Sequence, residues 1–372
     1  MHSAPPEDTA GAGVSSSSPA STPKTILVIQ TAFLGDLVLT LPLFTELKQA
    51  WPEAKIHALV HARYARILDS EPTIHRVIPY DKKPVLSDLG GLRKLIRGLR
   101  AQKYDLAVVP HRSTRSAWLA FLSGAKRRVG YQESEQSWLF TDKVERGFER
   151  RPEPGSEVRH EAARNLLLLE PLGIEWSNPI PFIHPYPAPE DEARNWLLEQ
   201  TMMGKSYATF APGSVWETKR WPEEYWIELA KLLREKDIRV VLVGGKADRD
   251  LAARIAEASG AVSAAGEVSL LGSAELIRRA DLMVTGDTAP LHIATAVYTK
   301  ILAIFGPTVP EFGFGPMRES DRIVATNLDC RACEVHGSER CPLEHHRCMR
   351  EITPDYMGER VLEMLTGGAD GD

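Results

Sequence analysis

The stretch that decides the fold covers residues 282–308 and reads LMVTGDTAPLHIATAVYTKILAIFGPT. Its first apolar run ends in a turn at residues 285–288, and its second apolar run stops at residues 306–308. Pro290 lies near the start of the segment between them, and proline suits the first turn of a helix because that turn needs no N–H donor. The pattern therefore predicts a strand, a helix and a second strand.

The start of this predicted helix offers backbone N–H groups near Thr288 and Ala289 that a helix leaves without partners. Helix starts of this kind bind phosphate, because both the donors and the helix dipole favour an anion. One more structural βαβ unit explains the pattern equally well at this point. Asp287 can cap the helix or orient a sugar hydroxyl, and His292 within the helix is typical of a packing group.

Length and composition indicate a soluble protein of two domains. A chain of 372 residues exceeds what a single core usually holds. The net charge of −5 gives no reason to expect a nucleic-acid partner. No stretch approaches the roughly 20 apolar residues of a membrane span, and the first residues lack the order of a secretory signal. We therefore expect a cytoplasmic protein.

Apolar runs alternate with helical patterns along most of the chain, which predicts an α/β fold with parallel sheets. Residues 1–23 are rich in Ser, Ala, Pro and Gly, and we expect them to be a disordered tail. Residues 179–189 contain five prolines, a composition that suits a connection between domains. The predicted domains are therefore residues 24–186 and 187–372, the second with a helix at its end.

Gly35 and Asp36 follow the first predicted strand, at the end where open parallel sheets bind ligands. Gly35 allows close backbone approach, and the carboxylate of Asp36 is a candidate general base. The alternative is a helix cap, since aspartate is favoured where a helix begins. The residues alone favour the cap.

A second candidate loop follows the strand near residue 210. Ser214 lies among small residues there, and Lys219 and Arg220 precede a helix that starts at proline. Two cations beside free N–H groups predict a clamp for pyrophosphate, while a solvated basic loop is the plain alternative. The chain contains neither GxGxxG nor GxxxxGK[ST], which weakens the dinucleotide and P-loop interpretations.

The predicted cleft edge of the first half carries basic side chains at Arg63, His111, Arg112 and Arg115. Together they could contact an anionic acceptor, although scattered arginines are usually only solvated.

All four cysteines, Cys330, Cys333, Cys341 and Cys348, lie in one segment near the end of the chain. Histidines nearby permit a zinc site, but the spacing is not that of a common zinc finger, and reduced structural thiols explain the segment at least as well. We therefore assign no metal ligands.

Three motifs together resemble the lipopolysaccharide heptosyltransferases of glycosyltransferase family 9, most closely the ADP-heptose:LPS heptosyltransferase II branch. They are QTAFLGDLVLTLP at residues 30–42, APGS with KRWP at residues 211–222, and GDTAPLH with FGPT at residues 286–308. The resemblance covers roughly residues 24 to 365, and the joint order of three motifs is far more specific than any one of them.

This resemblance implies a GT-B fold, in which two Rossmann-like domains face a central cleft, and an inverting transferase that needs no cofactor or metal. It implies ADP-heptose as donor, a lipid-linked core oligosaccharide as acceptor and possible peripheral contact with the inner membrane. Asp36 matches the family's catalytic base, which reverses the preference for a cap. The alternatives are a nucleotide-sugar epimerase on the same plan and a transferase for another donor. The predicted donor-binding residues are Ser214, Lys219, Arg220, Gly286, Asp287, Thr288, Ala289 and His292, and the predicted acceptor-binding residues are Gly35, Arg63, His111, Arg112 and Arg115.

Overall fold

The computed structural model describes residues 22–81, 89–147 and 158–366. Its strands form two sheets of six strands each, and every pair of neighbouring strands is parallel. The first sheet contains β1 Thr25–Gln30, β2 Lys55–His61, β3 Arg76–Tyr80, β4 Leu106–Val109, β5 Arg127–Tyr131 and β6 Asp142–Val144. The second contains β7 Tyr207–Ala211, β8 Arg239–Leu242, β9 Val262–Ser263, β10 Leu282–Gly286, β11 Ile301–Phe305 and β12 Arg322–Ala325.

The two sheets share one strand order. The first runs β3-β2-β1-β4-β5-β6, and the second runs β12-β11-β10-β7-β8-β9, which is the same order when its strands are counted from β7. This is the doubly wound Rossmann order. The predicted α/β fold with two Rossmann-like parallel sheets is thus confirmed.

Helices connect the strands and cover the sheets. Most of them carry an apolar stripe towards a sheet and polar residues towards solvent. None in the described ranges combines the length and the apolar character needed to cross a bilayer. They are α1 Leu34–Val38, α2 Leu41–Ala50, α3 Leu89–Ala101, α4 Thr114–Leu122, α5 Glu161–Leu167, α6 Pro187–Glu199, α7 Glu223–Glu235, α8 Arg249–Ser259, α9 Leu270–Arg278, α10 Ala289–Ala296, α11 Arg347–Arg350 and α12 Pro354–Thr366.

Some element boundaries differ from the sequence prediction for local reasons. The sequence pattern predicts a helix over residues 191–200, but α6 already begins at Pro187 because prolines fit its first turn. The apolar spacing of residues 37–51 predicts one helix, but the chain forms two, α1 and α2. The Thr40 hydroxyl between them donates to the Asp36 carbonyl at 2.7 Å. The predicted tail at residues 1–23 lies outside the described residues except for residues 22 and 23.

One apolar cluster runs from the first half into the second. It contains Val28 and Phe44 beside the first sheet and Leu291 and Ile293 on α10, all at most 3% exposed. Burial of each such side chain contributes about 1.5–3 kcal/mol, so this shared cluster couples the halves strongly. At the far end of the chain, α12 packs on α7.

The strand order alone indicates one ligand-binding position in each sheet. In each sheet the order reverses between two central strands, β1 and β4 in the first and β7 and β10 in the second. Ligands of open α/β sheets bind beyond the carboxyl ends of strands at such a point. Asp36 follows β1 and Asp287 follows β10, so both candidates lie at these ends.

A pair of glycine substitutions tests the packing of the first half. A Cβ on Gly130 of β5 would lie 2.4 Å from the Phe140 ring, so we expect Gly130→Ala to destabilise the protein by about 1–3 kcal/mol. Gly98 of α3 has nothing within 4 Å of its Cβ position, so Gly98→Ala should stabilise the helix by about 0.5–1 kcal/mol. Urea denaturation of both variants measures the difference, and equal stabilities would contradict the packing.

Candidate functional site

Asp36 lies at the carboxyl end of β1, as the third residue of α1. Its Oδ2 accepts the backbone N–H of Phe33 at 3.1 Å. The carboxylate therefore does cap the helix, in the manner of the third-residue member of a capping box, although it is not the residue that precedes the helix. The Asp36 backbone N–H also lies close enough to the carboxylate to favour its charged form.

The surroundings of Asp36 raise the proton affinity of its carboxyl above the value that an aspartate has in water. Burial, followed by the nearby negative charge of Glu161, raises the pKa of Asp36 to about 6, while the Phe33 N–H and Arg146 act in the opposite direction. Arg146 is itself paired with Glu161 at 2.5 Å, which weakens its effect on Asp36. A carboxyl that titrates near neutral pH is well matched to general-base chemistry.

In the second half, Lys219 and Asp287 form a buried ion pair at the carboxyl end of β10. Lys219 Nζ donates to Asp287 Oδ2 at 2.6 Å and to the Asp287 carbonyl at 3.2 Å. The hydroxyl of Thr308 donates to the same Oδ2 at 2.8 Å. The carboxylate is thus bound by side chains from two other loops. The residue that directly precedes α10 is Thr288, so of the two roles open to Asp287 the structure does not show the capping one, and sugar binding stays a prediction.

The start of α10 lies next to this ion pair. Thr288 precedes the helix, and Pro290 is in its first turn. The backbone N–H groups of Thr288 and Ala289 donate to no atom of the described residues. Gly286 ends β10 with backbone close by, since a Cβ there would lie 3.3 Å from the Lys219 carbonyl. The predicted donor residues 286–289 thus form one continuous surface beside Lys219.

Gly35 joins the two halves at this place. A Cβ on Gly35 would lie 2.8 Å from Cδ2 of His292 and 3.7 Å from Cα of Ala289. The helix that carries Asp36 therefore contacts the first turn of α10 directly. The structure brings the proposed base and the proposed phosphate site to one junction.

His292 is buried at this junction, 5% exposed, and its Nδ1 has no hydrogen-bond partner. Burial, followed by repulsion from a protonated His160, lowers the pKa of His292 to about 3. The ring is consequently neutral near pH 7 and offers no positive charge to a phosphate. Its packing against Gly35 fits the role that the sequence pattern suggested, while its predicted part in donor binding stays a prediction.

Ser214 and Arg220 of the predicted clamp hold their own loop together. The Arg220 guanidinium donates to the Ser214 carbonyl at 3.0 and 2.8 Å and pairs with Glu217 at 2.6 Å. Of the two predicted cations, Lys219 is therefore the one that lies against α10. A direct part of Arg220 in donor binding stays a prediction.

The predicted acceptor residues lie at different places in the first half. His111 lies near the hydroxyls of Thr31 and Ser116, each at 3.3 Å from its Nδ1. The Arg63 guanidinium stacks over Tyr64. Arg112 and Arg115 line a cavity of about 870 Å³, together with Tyr80, Leu92, Trp118, Leu119 and Leu122 among others.

Sequence reasoning missed three residues at or near the junction. Thr308 stands in the strand-ending turn and in the FGPT motif but has no predicted role in the site, although its position after β11, the neighbour of β10, is a usable signal. Glu161 and Arg146 stand in no motif of the sequence. Only the tertiary fold brings them close to Asp36. Glu161 also binds Arg164 at 3.2 Å, and Arg164 in turn donates to the Phe312 carbonyl of the second half at 2.8 Å.

The cysteine segment has a separate character. All four cysteines are free thiols, and Cys348 is buried. Burial raises the pKa of Cys348 to about 11 and favours the protonated form. Within residues 22–81, 89–147 and 158–366, no group of three or more His, Cys, Asp or Glu side chains is arranged to hold a metal ion.

Comparison with known proteins identifies the family. Residues 92–343 match the model of Glycosyltransferase family 9 (heptosyltransferase). The chain belongs to this family. It is 28% identical to lipopolysaccharide heptosyltransferase 1 of Pseudomonas aeruginosa, over 91% of this chain and 98% of that protein. It is 27% identical to lipopolysaccharide heptosyltransferase 2 of Escherichia coli, over 91% and 97%.

The structure of E. coli ADP-heptose LPS heptosyltransferase II superposes on this family member with a TM-score of 0.73 and 23% identity, over 92% of this chain and 99% of that chain. The GT-B fold implied by the three motifs is thus confirmed. Family membership makes the protein a glycosyltransferase, and the epimerase alternative is not retained.

The raised pKa of Asp36 has a measurable effect on stability. Because the folded protein binds this proton more tightly than the unfolded chain, the contribution of Asp36 to stability falls as the pH rises from about 4 to about 6. Asp36→Asn removes this dependence. We expect the stability of the variant relative to the wild type to increase by about 1–3 kcal/mol between about pH 4 and pH 7. Urea denaturation at several pH values measures the free energy of unfolding of both proteins, with Asp69→Asn on the surface as control. A difference between variant and wild type that does not change with pH would contradict the raised pKa.

Proposed function

We propose that this protein transfers heptose from ADP-heptose to the inner core of lipopolysaccharide, with inversion at the anomeric carbon and with Asp36 as the general base. The observation that carries the proposal is the junction at Gly35, where a carboxyl with a raised pKa lies beside a helix start suited to a diphosphate. The named relatives support the donor and the acceptor class. Relatives of types 1 and 2 match equally well, so the proposal covers both.

The chemical step follows from the position of the carboxylate. An acceptor hydroxyl hydrogen-bonded to Oδ1 of Asp36 loses its proton to that oxygen as its own oxygen attacks the anomeric carbon of the donor. The bond from that carbon to the diphosphate breaks, and ADP leaves with the electron pair. Attack from the face opposite the leaving group inverts the configuration. Proton transfer by a well-placed base contributes about 10²–10⁴-fold to the rate.

The second half stabilises the leaving diphosphate. Lys219 uses two of its three N–H donors on Asp287, and the third remains for a phosphate oxygen. The N–H groups of Thr288 and Ala289 add neutral donors at the positive end of α10. Preorganised donors of this kind oppose the charge that develops on the leaving group without a metal ion.

The acceptor lies on the side of the first sheet in this proposal. Arg112 lies close enough to Arg146 and Glu161 for their charges to affect its pKa, and Glu161 acts on Asp36. Arg115, Arg112 and Arg146 thus place positive charge between the cavity and Asp36. The anionic sugars and phosphates of a lipopolysaccharide core would be attracted to it.

A donor screen with the purified protein tests the proposal. With a lipid-linked core acceptor that lacks heptose, we expect release of ADP from ADP-heptose and no comparable release from UDP- or GDP-sugars. Mass spectrometry of the acceptor should show the added heptose. Release of UDP or GDP instead would reject the donor, and an unmodified acceptor would reject the transfer.

Asp36→Asn tests the base separately. The amide keeps the size of the side chain but cannot take the proton, so we expect turnover to fall by about 10²–10⁴-fold. The dissociation constant for ADP, measured by calorimetry, should stay near the wild-type value. Asp36 contacts none of the residues proposed to bind the phosphates. Asp69→Asn is the matched control and should keep full turnover. Wild-type turnover in Asp36→Asn would remove Asp36 as the base.

A further inference from the structure

Two neighbouring surface helices of the first half carry positive charge without any negative charge. The segments are α3 and the run from the start of α4 to Arg128, and neither contains Asp or Glu, although the whole chain has a net charge of −5. Such a concentration of one sign on an acidic protein indicates an anionic partner. The basic residues are Arg93, Lys94, Arg97, Arg100, Arg115, Lys126, Arg127 and Arg128.

The two helices form one surface. Leu99 of α3 and Ala117 and Ala120 of α4 belong to the same apolar cluster on one face of the first sheet. At their carboxyl ends, Arg100 Nε donates to the Leu122 carbonyl at 2.9 Å. The opposite sides of both helices point to solvent, where Arg93, Lys94, Arg97 and Arg100 are exposed. We call this surface the α3–α4 face.

Three large aromatic side chains are exposed on the same face. Trp118 and Phe121 of α4 are 39% and 43% exposed, and Trp138 in the connection between β5 and β6 is 64% exposed. Their rings contact one another edge to face, with centroids 6.0 Å apart for Trp118–Phe121 and 5.8 Å apart for Trp118–Trp138. Large aromatic rings held together in water are unusual for a monomer surface and typical of a binding site.

Arg128 packs against the aromatic group, and acidic residues lie at the edge of the face. The guanidinium of Arg128 lies 5.6 Å from the centre of the Phe121 ring, and its Nε donates to the Leu139 carbonyl at 2.7 Å. Four acidic residues border the face, Asp105, Glu133, Glu135 and Asp142. Asp142 is paired with Arg127 at 2.8 Å, so Arg127 adds no net charge to the face. Asp105 is paired with Lys126 at 2.8 Å, and Glu135 accepts a hydrogen bond from Thr114 at 2.9 Å. The face retains a clear excess of positive charge.

We propose that the α3–α4 face docks the protein on the surface of a bilayer containing anionic phospholipid. Tryptophan rings prefer the boundary between headgroups and acyl chains, and lysine and arginine beside them attract anionic headgroups. Neither feature alone specifies a membrane, but exposed tryptophans within an arginine-rich helical surface fit it better than they fit a nucleic acid or a protein groove.

This inference deepens the proposed function and rests on its lipid-linked acceptor. Trp118 belongs both to the α3–α4 face and to the wall of the cavity that Arg112 and Arg115 line. A lipid-linked acceptor held in the same bilayer would thus present its sugars beside that cavity. Vesicles without any saccharide test the docking alone, so its failure is distinguishable from failure of the transfer.

Flotation of the full chain with vesicles tests the docking. The vesicles are phosphatidylcholine alone or phosphatidylcholine mixed with phosphatidylglycerol. We expect binding to the mixed vesicles only, weakened by salt. Arg93→Ala/Arg97→Ala should reduce binding about 25-fold, since each cation near an anionic surface contributes about fivefold. Trp138→Ala should also reduce it, and the tryptophan fluorescence of the wild type should be quenched by brominated lipid.

Matched controls lie away from the α3–α4 face, on α7 and directly before α6. Lys231→Ala/Lys236→Ala removes two exposed cations around the end of α7, and Tyr186→Ala removes a ring that is 47% exposed. Both should bind vesicles like the wild type, and circular dichroism checks that every variant is folded. Equal binding by wild type and α3–α4 variants, equal loss in the controls, or binding to phosphatidylcholine alone would each overturn the inference.

Discussion

The contact between Gly35 and His292 is the constraint on which the site depends. A side chain at residue 35 has no room, because its Cβ would meet the imidazole at 2.8 Å. This single close approach lets α1 lie on the first turn of α10, and it thereby sets Asp36 beside the carboxyl end of β10 in the second sheet. The neutral state of His292 fits this contact, since a charged imidazole would be costly in such a dry place.

Electrostatics at the junction follow from burial more than from any single pair. Glu161 lies among Arg146, Arg164 and the Tyr131 ring system, so its charge is largely but not fully compensated. The remainder acts on Asp36 and favours its protonated form. A buried ionic cluster of this kind adds little net stability and instead fixes geometry and proton affinity.

Much of the fold could be predicted from the sequence because the central strands are continuous apolar runs with glycine or proline at their ends. β1, β7, β10 and β11 follow this rule, whereas β9 has two residues and β12 is largely exposed, so neither leaves a clear pattern. Only part of the candidate site could be predicted from the sequence. Asp36, Lys219 and Asp287 stand in motifs, but the pairing of Lys219 with Asp287 spans 68 residues and depends on the sheet order. Glu161 and Arg146 could not be found without the fold, since nothing local distinguishes them.

In the proposed donor site, the Lys219–Asp287 pair has a consequence for which anions can bind. A bare lysine beside a helix start would attract every phosphate in the cell, including inorganic phosphate and free nucleotides in large excess. Here the carboxylate already satisfies most of the ammonium charge, and an incoming anion must compete with it at 2.6 Å. Only a ligand that also gains contacts elsewhere, through its base or its sugar, recovers that loss. If Lys219 binds the donor diphosphate as proposed, the ion pair lowers the affinity for simple phosphates and so increases discrimination in favour of the whole donor.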